Sequence, residues 1–120
     1  MAALLVSTAC ALAVGCGKAA RTTETLSGTV AQQSSVSSTV AVVADGQFDV
    51  TLSSIDPSVT IGLGIGQFSG TSCSLLASNS TATAGTVVSA EVQAGTYCVS
   101  VYDVGTLSGS VTYSLTVTHP

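Results

Sequence analysis

Apolar and polar residues alternate with a period of two along most of the chain beyond Thr25. The pattern is clearest from Ala94 to Val117, where Tyr97, Val99 and Val101 alternate with Cys98, Ser100 and Tyr102, and Val111, Tyr113, Leu115 and Val117 alternate with Thr112, Ser114 and Thr116. A period of two sends successive side chains to opposite faces of a strand. This stretch therefore predicts two strands with one buried face. The loop Asp103 to Ser110 holds two glycines and several small polar residues, which predicts that the two strands form a hairpin.

The same alternation, more or less strict, recurs upstream. Thr25 to Val30 is a short strand with Leu26 and Val30 on one face. Val36 to Val43 alternates loosely, Asp45-Gly46 signals a turn, and Phe48, Val50 and Leu52 resume the period to about Ile55, so these two runs also read as a hairpin. After Asp56-Pro57, Val59, Ile61, Leu63 and Ile65 share one face, while Thr60, Gly62, Gly64 and Gly66 leave the other nearly bare. A bare strand face is one that another segment crosses closely or that stays open. The glycines do not form a phosphate loop, because no Lys-Ser/Thr and no helix follow them. Phe68 to Thr71 turns the chain. Cys73, Leu75 and Ala77 lead a strand ending at Asn79-Ser80, and Val87 to Val92 forms another. About eight strands at short, even spacing, with no helical period of useful length among them, predict an all-β fold, an antiparallel β-sandwich.

Composition narrows the function. The 120 residues support one domain, and with 46% hydrophobic but only 7% charged residues the wetted surface must come from nineteen Ser and seventeen Thr. The formal net charge is −4, and Lys18 and Arg21 are the two cations. No basic patch is available for nucleic acid or for electrostatic attachment to anionic lipid. With no Trp, three Tyr and two Phe, aromatic platforms for sugars are scarce.

Catalytic patterns are equally scarce. The single histidine, His119, is penultimate and reads as a frayed side chain, so a serine triad has no base. No G-x-S-x-G occurs, and one His with the available Cys cannot complete a zinc site. The expectation is a protein that is not an enzyme.

Asp45, Asp49, Asp56, Glu91 and Asp103 fall mostly at turns, where a carboxylate satisfies local backbone donors. A sharper alternative brings Asp56 and Asp103 together at one loop end, where with backbone carbonyls they would bind Ca²⁺ weakly. Tyr102, opposite Val99 and Val101 in parity, either covers a sheet face or contacts a partner. Asn79-Ser80-Thr81 fits a glycosylation sequon.

The N-terminal run Ala2 to Val14 is apolar but short for a bilayer span. The residues Leu12-Ala13-Val14-Gly15-Cys16 resemble a bacterial lipoprotein signal, in which small residues precede a cysteine that is lipid-modified and becomes the new N-terminus. That resemblance implies a helical signal peptide over 1–15, lipidation of Cys16, a polar tether over 16–24 and a folded domain over 25–120. Acyl chains contribute about 0.8 kcal/mol per buried methylene, so the domain would be anchored without spanning. It would sit at the bacterial cell envelope, and Gly17 is typical of sorting to the outer membrane in that class. Cys10 would leave with the signal, so Cys73 and Cys98 would remain to pair in an oxidising compartment. Cys98 has the parity of Ser100 and Tyr102, which puts this disulfide on the outer face or near a strand end, not in the core.

From Gly46 to Val117 the order of features is similar to the bacterial pre-peptidase C-terminal domain, a small jelly-roll-like β-sandwich. The resembling residues are the strand Gln47-Phe48-Asp49-Val50-Thr51-Leu52, the strand Cys73-Ser74-Leu75-Leu76-Ala77-Ser78, the turn Gln93-Ala94-Gly95-Thr96-Tyr97 and the closing strand Val111-Thr112-Tyr113-Ser114-Leu115-Thr116-Val117. Members of that family usually lie beside exported enzymes, and some relatives bind calcium or a matrix protein. The acidic cluster that calcium-binding relatives carry in their N-terminal linker is missing here, where Glu24 stands alone. The expected function is a non-catalytic, lipid-anchored structural or interaction module without a cofactor. The alternative is a module that binds calcium, carbohydrate or an extracellular matrix protein.

Overall fold

The computed structural model describes residues 20–120. The signal-like segment, Cys10 and Cys16 lie outside the described residues. Eight strands follow one another: β1 (Thr22–Val30), β2 (Ser35–Val42), β3 (Gly46–Asp56), β4 (Ile61–Ser69), β5 (Ser72–Ala82), β6 (Val87–Val92), β7 (Gly95–Tyr102) and β8 (Val111–His119). No helix is present among the described residues. The strands form two antiparallel four-stranded sheets, β1-β8-β3-β6 and β2-β7-β4-β5. All eight expected strands are present, and the all-β sandwich is the fold.

The pairing is nested. β4 pairs with β5, β3 with β6, β2 with β7 and β1 with β8. The chain thus doubles back about the β4–β5 turn like one long hairpin, which then rolls up so that β3 also meets β8 and β4 also meets β7. This is jelly-roll topology, in which rolling two Greek keys gives two packed sheets.

The nesting overturns two local hairpins. β2 and β3 lie in different sheets, and so do β7 and β8. Alternation specifies which side of a strand is buried, but says nothing about which strand lies beside it. The three residues 43–45 between β2 and β3 can span about 10 Å, the usual distance between packed sheets, so a short connection suits a crossing as well as a hairpin. Of the consecutive strands, β4 and β5 alone pair with each other, around Gly70-Thr71, with Gly70 at φ +67°.

The inner faces supply the core. Phe48, Leu52 and Leu115 from one sheet pack against Ile61, Leu63, Ile65 and Val99 from the other, all fully buried. Phe48 meets the Tyr97 ring edge-on, with centroids 5.9 Å apart. The Tyr97 hydroxyl donates to the Gln93 carbonyl (2.7 Å) and accepts from the Gln93 N–H (3.1 Å), so the buried aromatic also closes the β6–β7 turn.

Both ends of the described segment are more ordered than the sequence suggests. β1 starts at Thr22, so residues 22–24, assigned above to the tether, belong to the sheet. Arg21 is docked as well: its guanidinium donates to the carbonyls of Gln47 (2.6 Å) and Thr118 (3.1 Å) and pairs with the Asp49 carboxylate (3.2 Å). Burial by itself pushes the Asp49 carboxyl up, but hydrogen bonds from Ser89, Gln47 and Arg21, with the Arg21 charge, outweigh it and hold Asp49 below the usual value. His119 is not frayed. It is only 4% exposed, lies against Phe48, and sets Nε2 2.6 Å from the Glu24 carboxylate and Nδ1 3.0 Å from the Pro120 carbonyl oxygen.

Candidate interaction face

The outer face of the β2-β7-β4-β5 sheet gathers the features that the sequence left without a place in the core. Its floor is the bare side of β4. A side chain at Gly62 would meet the Tyr102 ring at 2.1 Å, one at Gly64 would meet the Leu75 methyls at 2.8 Å, and one at Gly66 would meet the Ser74 carbonyl oxygen at 2.2 Å. The glycines are thus crossed closely, the first of the two readings that their bare face allowed. Tyr102 is the register partner of Gly62, and its ring occupies the volume that glycine vacates. Glycine and aromatic residue make a cross-strand pair.

Cys73 and Cys98 are bonded, with Cα atoms 6.0 Å apart. Cys98 belongs to β7 and Cys73 to β5, the two strands that flank β4. Strands separated by a third lie about 9.6 Å apart in a flat sheet. The bridge therefore brings β5 across the outer side of β4, and it does so at Gly66, the register partner of both Cys98 and Leu75. The register shift between Ile65 and Gly66 is the bend that allows this crossing. Cys98 has the expected outward parity and stays out of the core cluster, yet it is 0% exposed because the bridge and β5 cover it.

The crossing also displays apolar side chains, Leu75 of the expected alternation and two that the alternation did not single out. Leu76 is 57% exposed, Phe68 40% and Leu75 38%. Leu76 is the extra residue of the bulge, between Leu75 opposite Gly66 and Ala77 opposite Ile65, so no period of two could place it. A visible signal existed at another level, since residues 57–90 contain no charged side chain. Such a run leaves Ser and Thr hydroxyls as the polar cover for this region.

Asp45 and Asp103 behave as turn formers, whereas Asp49 and Glu91 lie within β3 and β6. Asp103, just beyond β7, accepts from the N–H groups of Gly105 (2.8 Å), Thr106 (3.1 Å) and Leu107 (3.2 Å) through Oδ1, and from the Gln33 N–H (2.8 Å) through Oδ2. Asp45 likewise accepts from the Ala94 N–H at 3.0 Å. Asp56 stands at the same end of the sandwich as Asp103 but closes β3 in the other sheet, where its carbonyl accepts from the Thr112 hydroxyl (3.3 Å). Among the described residues no three His, Cys, Asp or Glu side chains are grouped to hold a metal ion. A shallow cleft of about 290 Å³ between Ile55, Ser58, Val59, Thr60, Thr83 and Ala84 lies at this end and is lined by no charged residue.

The Gln33 N–H, then the other three donors, hold the Asp103 carboxyl below its ordinary value. The unfolded chain then takes up the proton at higher pH than the folded one. The Asp103 contribution is therefore complete above the ordinary aspartate value of about 3.9 and is lost as pH falls through the lower folded value. Amide NMR signals of Gln33 and Gly105 should titrate together with a midpoint below about 3.9. Independent midpoints, or one above that value, would refute this tie.

No family model matches the chain, and no curated protein does. Solved structures do match. The mitogen derived from Yersinia pseudotuberculosis aligns with a TM-score of 0.65 at 15% identity, covering 84% of this chain and 88% of its own. PliG of Aeromonas hydrophila, a periplasmic inhibitor of g-type lysozyme, gives 0.58 at 19%, covering 79% and 83%. The pre-peptidase C-terminal domain of a Bacillus anthracis collagenase gives 0.56 at 18%, covering 78% and 87%. At these identities the likeness is one of fold, and the fold that this chain shares with the three is a β-sandwich.

Proposed function

We propose that the chain is a non-catalytic interaction module of the bacterial envelope, lipid-anchored through Cys16, which meets an extracellular protein through the outer face of the β2-β7-β4-β5 sheet. The observation that carries this reading is the half-exposed set Phe68, Leu75 and Leu76 on the glycine-floored face that Tyr102 also covers, where no side chain from residue 57 to 90 is charged. Apolar side chains clustered on a rigid, cross-braced face are what a binding partner desolvates. A fold shared with a periplasmic lysozyme inhibitor and a mitogen supports a role in binding over one in chemistry.

Site-specific photocrosslinking in cells tests the face. A photoreactive side chain at Leu76 should give a discrete protein adduct, and one at Thr116, in the other sheet, should give none. Equal adducts from both sites, or none from Leu76, would sink the assignment. Radiolabelled palmitate should be incorporated by the wild type and lost on Cys16→Ser; unchanged labelling removes the anchor. Heat release and a raised melting temperature on adding calcium would move the reading to a calcium-binding module.

A further inference from the structure

We propose that the outer edge of β2, which pairs with no strand among the described residues, pairs antiparallel with β2 of a second copy, joining two four-stranded sheets into one of eight strands. A sheet edge offers a row of N–H and C=O groups to another strand, and proteins that do not use an edge commonly blunt it with charge, proline, a bulge or short length. Three of the four edges here carry such a device. β5 is interrupted by two register shifts, and the Asn79 side chain accepts from the Thr81 N–H at 2.8 Å. β1 carries Glu24, and β6 is six residues long with Glu91 near its end.

β2 carries none of them. Its eight residues pair with β7 in unbroken register, from Ser35 opposite Tyr102 to Val42 opposite Gly95. No charged residue or proline occurs between Glu24 and Asp45. The side chain of Val43, just past the strand, is 81% exposed.

The occupant follows from charge and pattern. Glu24 and Asp45, the charged residues nearest in sequence, lie outside β2, so two copies of a chain of formal net charge −4 set no carboxylates opposite one another along it. Antiparallel self-pairing must set residues of one face opposite residues of the same face. The registers centred on Ser38 and on Thr39 both do this. The first sets Val36 against Val40 and Ser37 against Thr39; the second sets Val36 against Val42 and Thr39 against itself. Each extends the apolar inner face across the joint and keeps hydroxyls outside. An eight-residue edge is about 27 Å long and forms about eight main-chain hydrogen bonds. That is small beside the roughly 800 Å² per partner of a standard interface, so a micromolar dimer is expected.

Sedimentation velocity on the full chain in a nonionic detergent tests this. The wild type should shift from monomer to dimer at concentrations up to roughly 0.1 mM. Ser37→Lys with Thr39→Lys sets lysines opposite one another in both registers and should weaken the dimer at least about tenfold. Ser37→Glu with Thr39→Glu should do the same, and mixing the two charged variants should restore a mixed dimer, which a merely misfolded variant cannot do. Leu76→Ser should leave the dimer intact. A wild type that stays monomeric, a dimer that survives the lysines, a failed mixed rescue, or a dimer lost on Leu76→Ser would each overturn the proposal.

Discussion

Replacing Cys73 and Cys98 together by alanine is expected to lower the stability of the domain by about 3.5 kcal/mol. The bridge closes a loop with a sequence separation of 25, and the chain-entropy account gives about that value for such a loop. For a domain of this size each kcal/mol moves the melting temperature by roughly 4–8 °C, so the midpoint should fall by roughly 14–28 °C. The same loss should follow reduction of the wild type. Because Cys98 is fully covered and Cys73 only partly, attack by a thiol should fall on the Cys73 sulfur. Thermal unfolding with and without reductant, on wild type and on the double variant, measures this. A reductant-dependent midpoint in the variant, or a shift of only a few degrees in the wild type, would contradict it.

Gly66→Ala is expected to cost about 3 kcal/mol, at the upper end of what overpacking does. The reason is the nature of the obstacle: the added methyl would meet the backbone carbonyl of Ser74 at 2.2 Å, and backbone cannot rotate aside. Gly62→Ala faces a nearly identical distance, 2.1 Å, but the obstacle is the half-buried Tyr102 ring, which can swing away, so its effect should stay under about 1 kcal/mol. The two substitutions look equivalent by spacing alone. A further expectation links them to the bridge, since β5 is held against Gly66 by Cys73 and Cys98. Without the bridge β5 can retreat, so Gly66→Ala should cost less in the background lacking both cysteines. Denaturant unfolding of the four proteins of this cycle gives the coupling. Additive effects would mean that the crossing of β5 is not held by the disulfide.

Much of this molecule was legible from its residues. Phe48, Val50 and Leu52, or Val111, Tyr113 and Leu115, alternate because each must put one side into the core, and the structure buries all of them. The bare side of Gly62, Gly64 and Gly66 allowed a close crossing or an open face, and the outward parity of Cys98 announced a bridge off the core. What could not be read was which segment crosses. Leu76 and Phe68 escaped notice because a bulge and a hairpin tip decide their exposure. Arg21 and His119 escaped because both looked like chain ends, while their partners, Asp49 with Thr118 and Glu24, lie 28, 97 and 95 residues away.

The sequence by itself determined the positions of eight strands, the inward side of most of them and the absence of any charge over residues 57–90. These are local properties, set by the two-residue period of an extended backbone and by composition. Only the tertiary structure decided the neighbours: β2 beside β7 and not β3, β8 between β1 and β3, β5 drawn over Gly66 by the disulfide, and β2 at the edge of its sheet among the described residues. Strand partners are chosen by how two whole sheets close over a shared core, and that free energy resides in contacts between residues far apart in the chain, which no local pattern records.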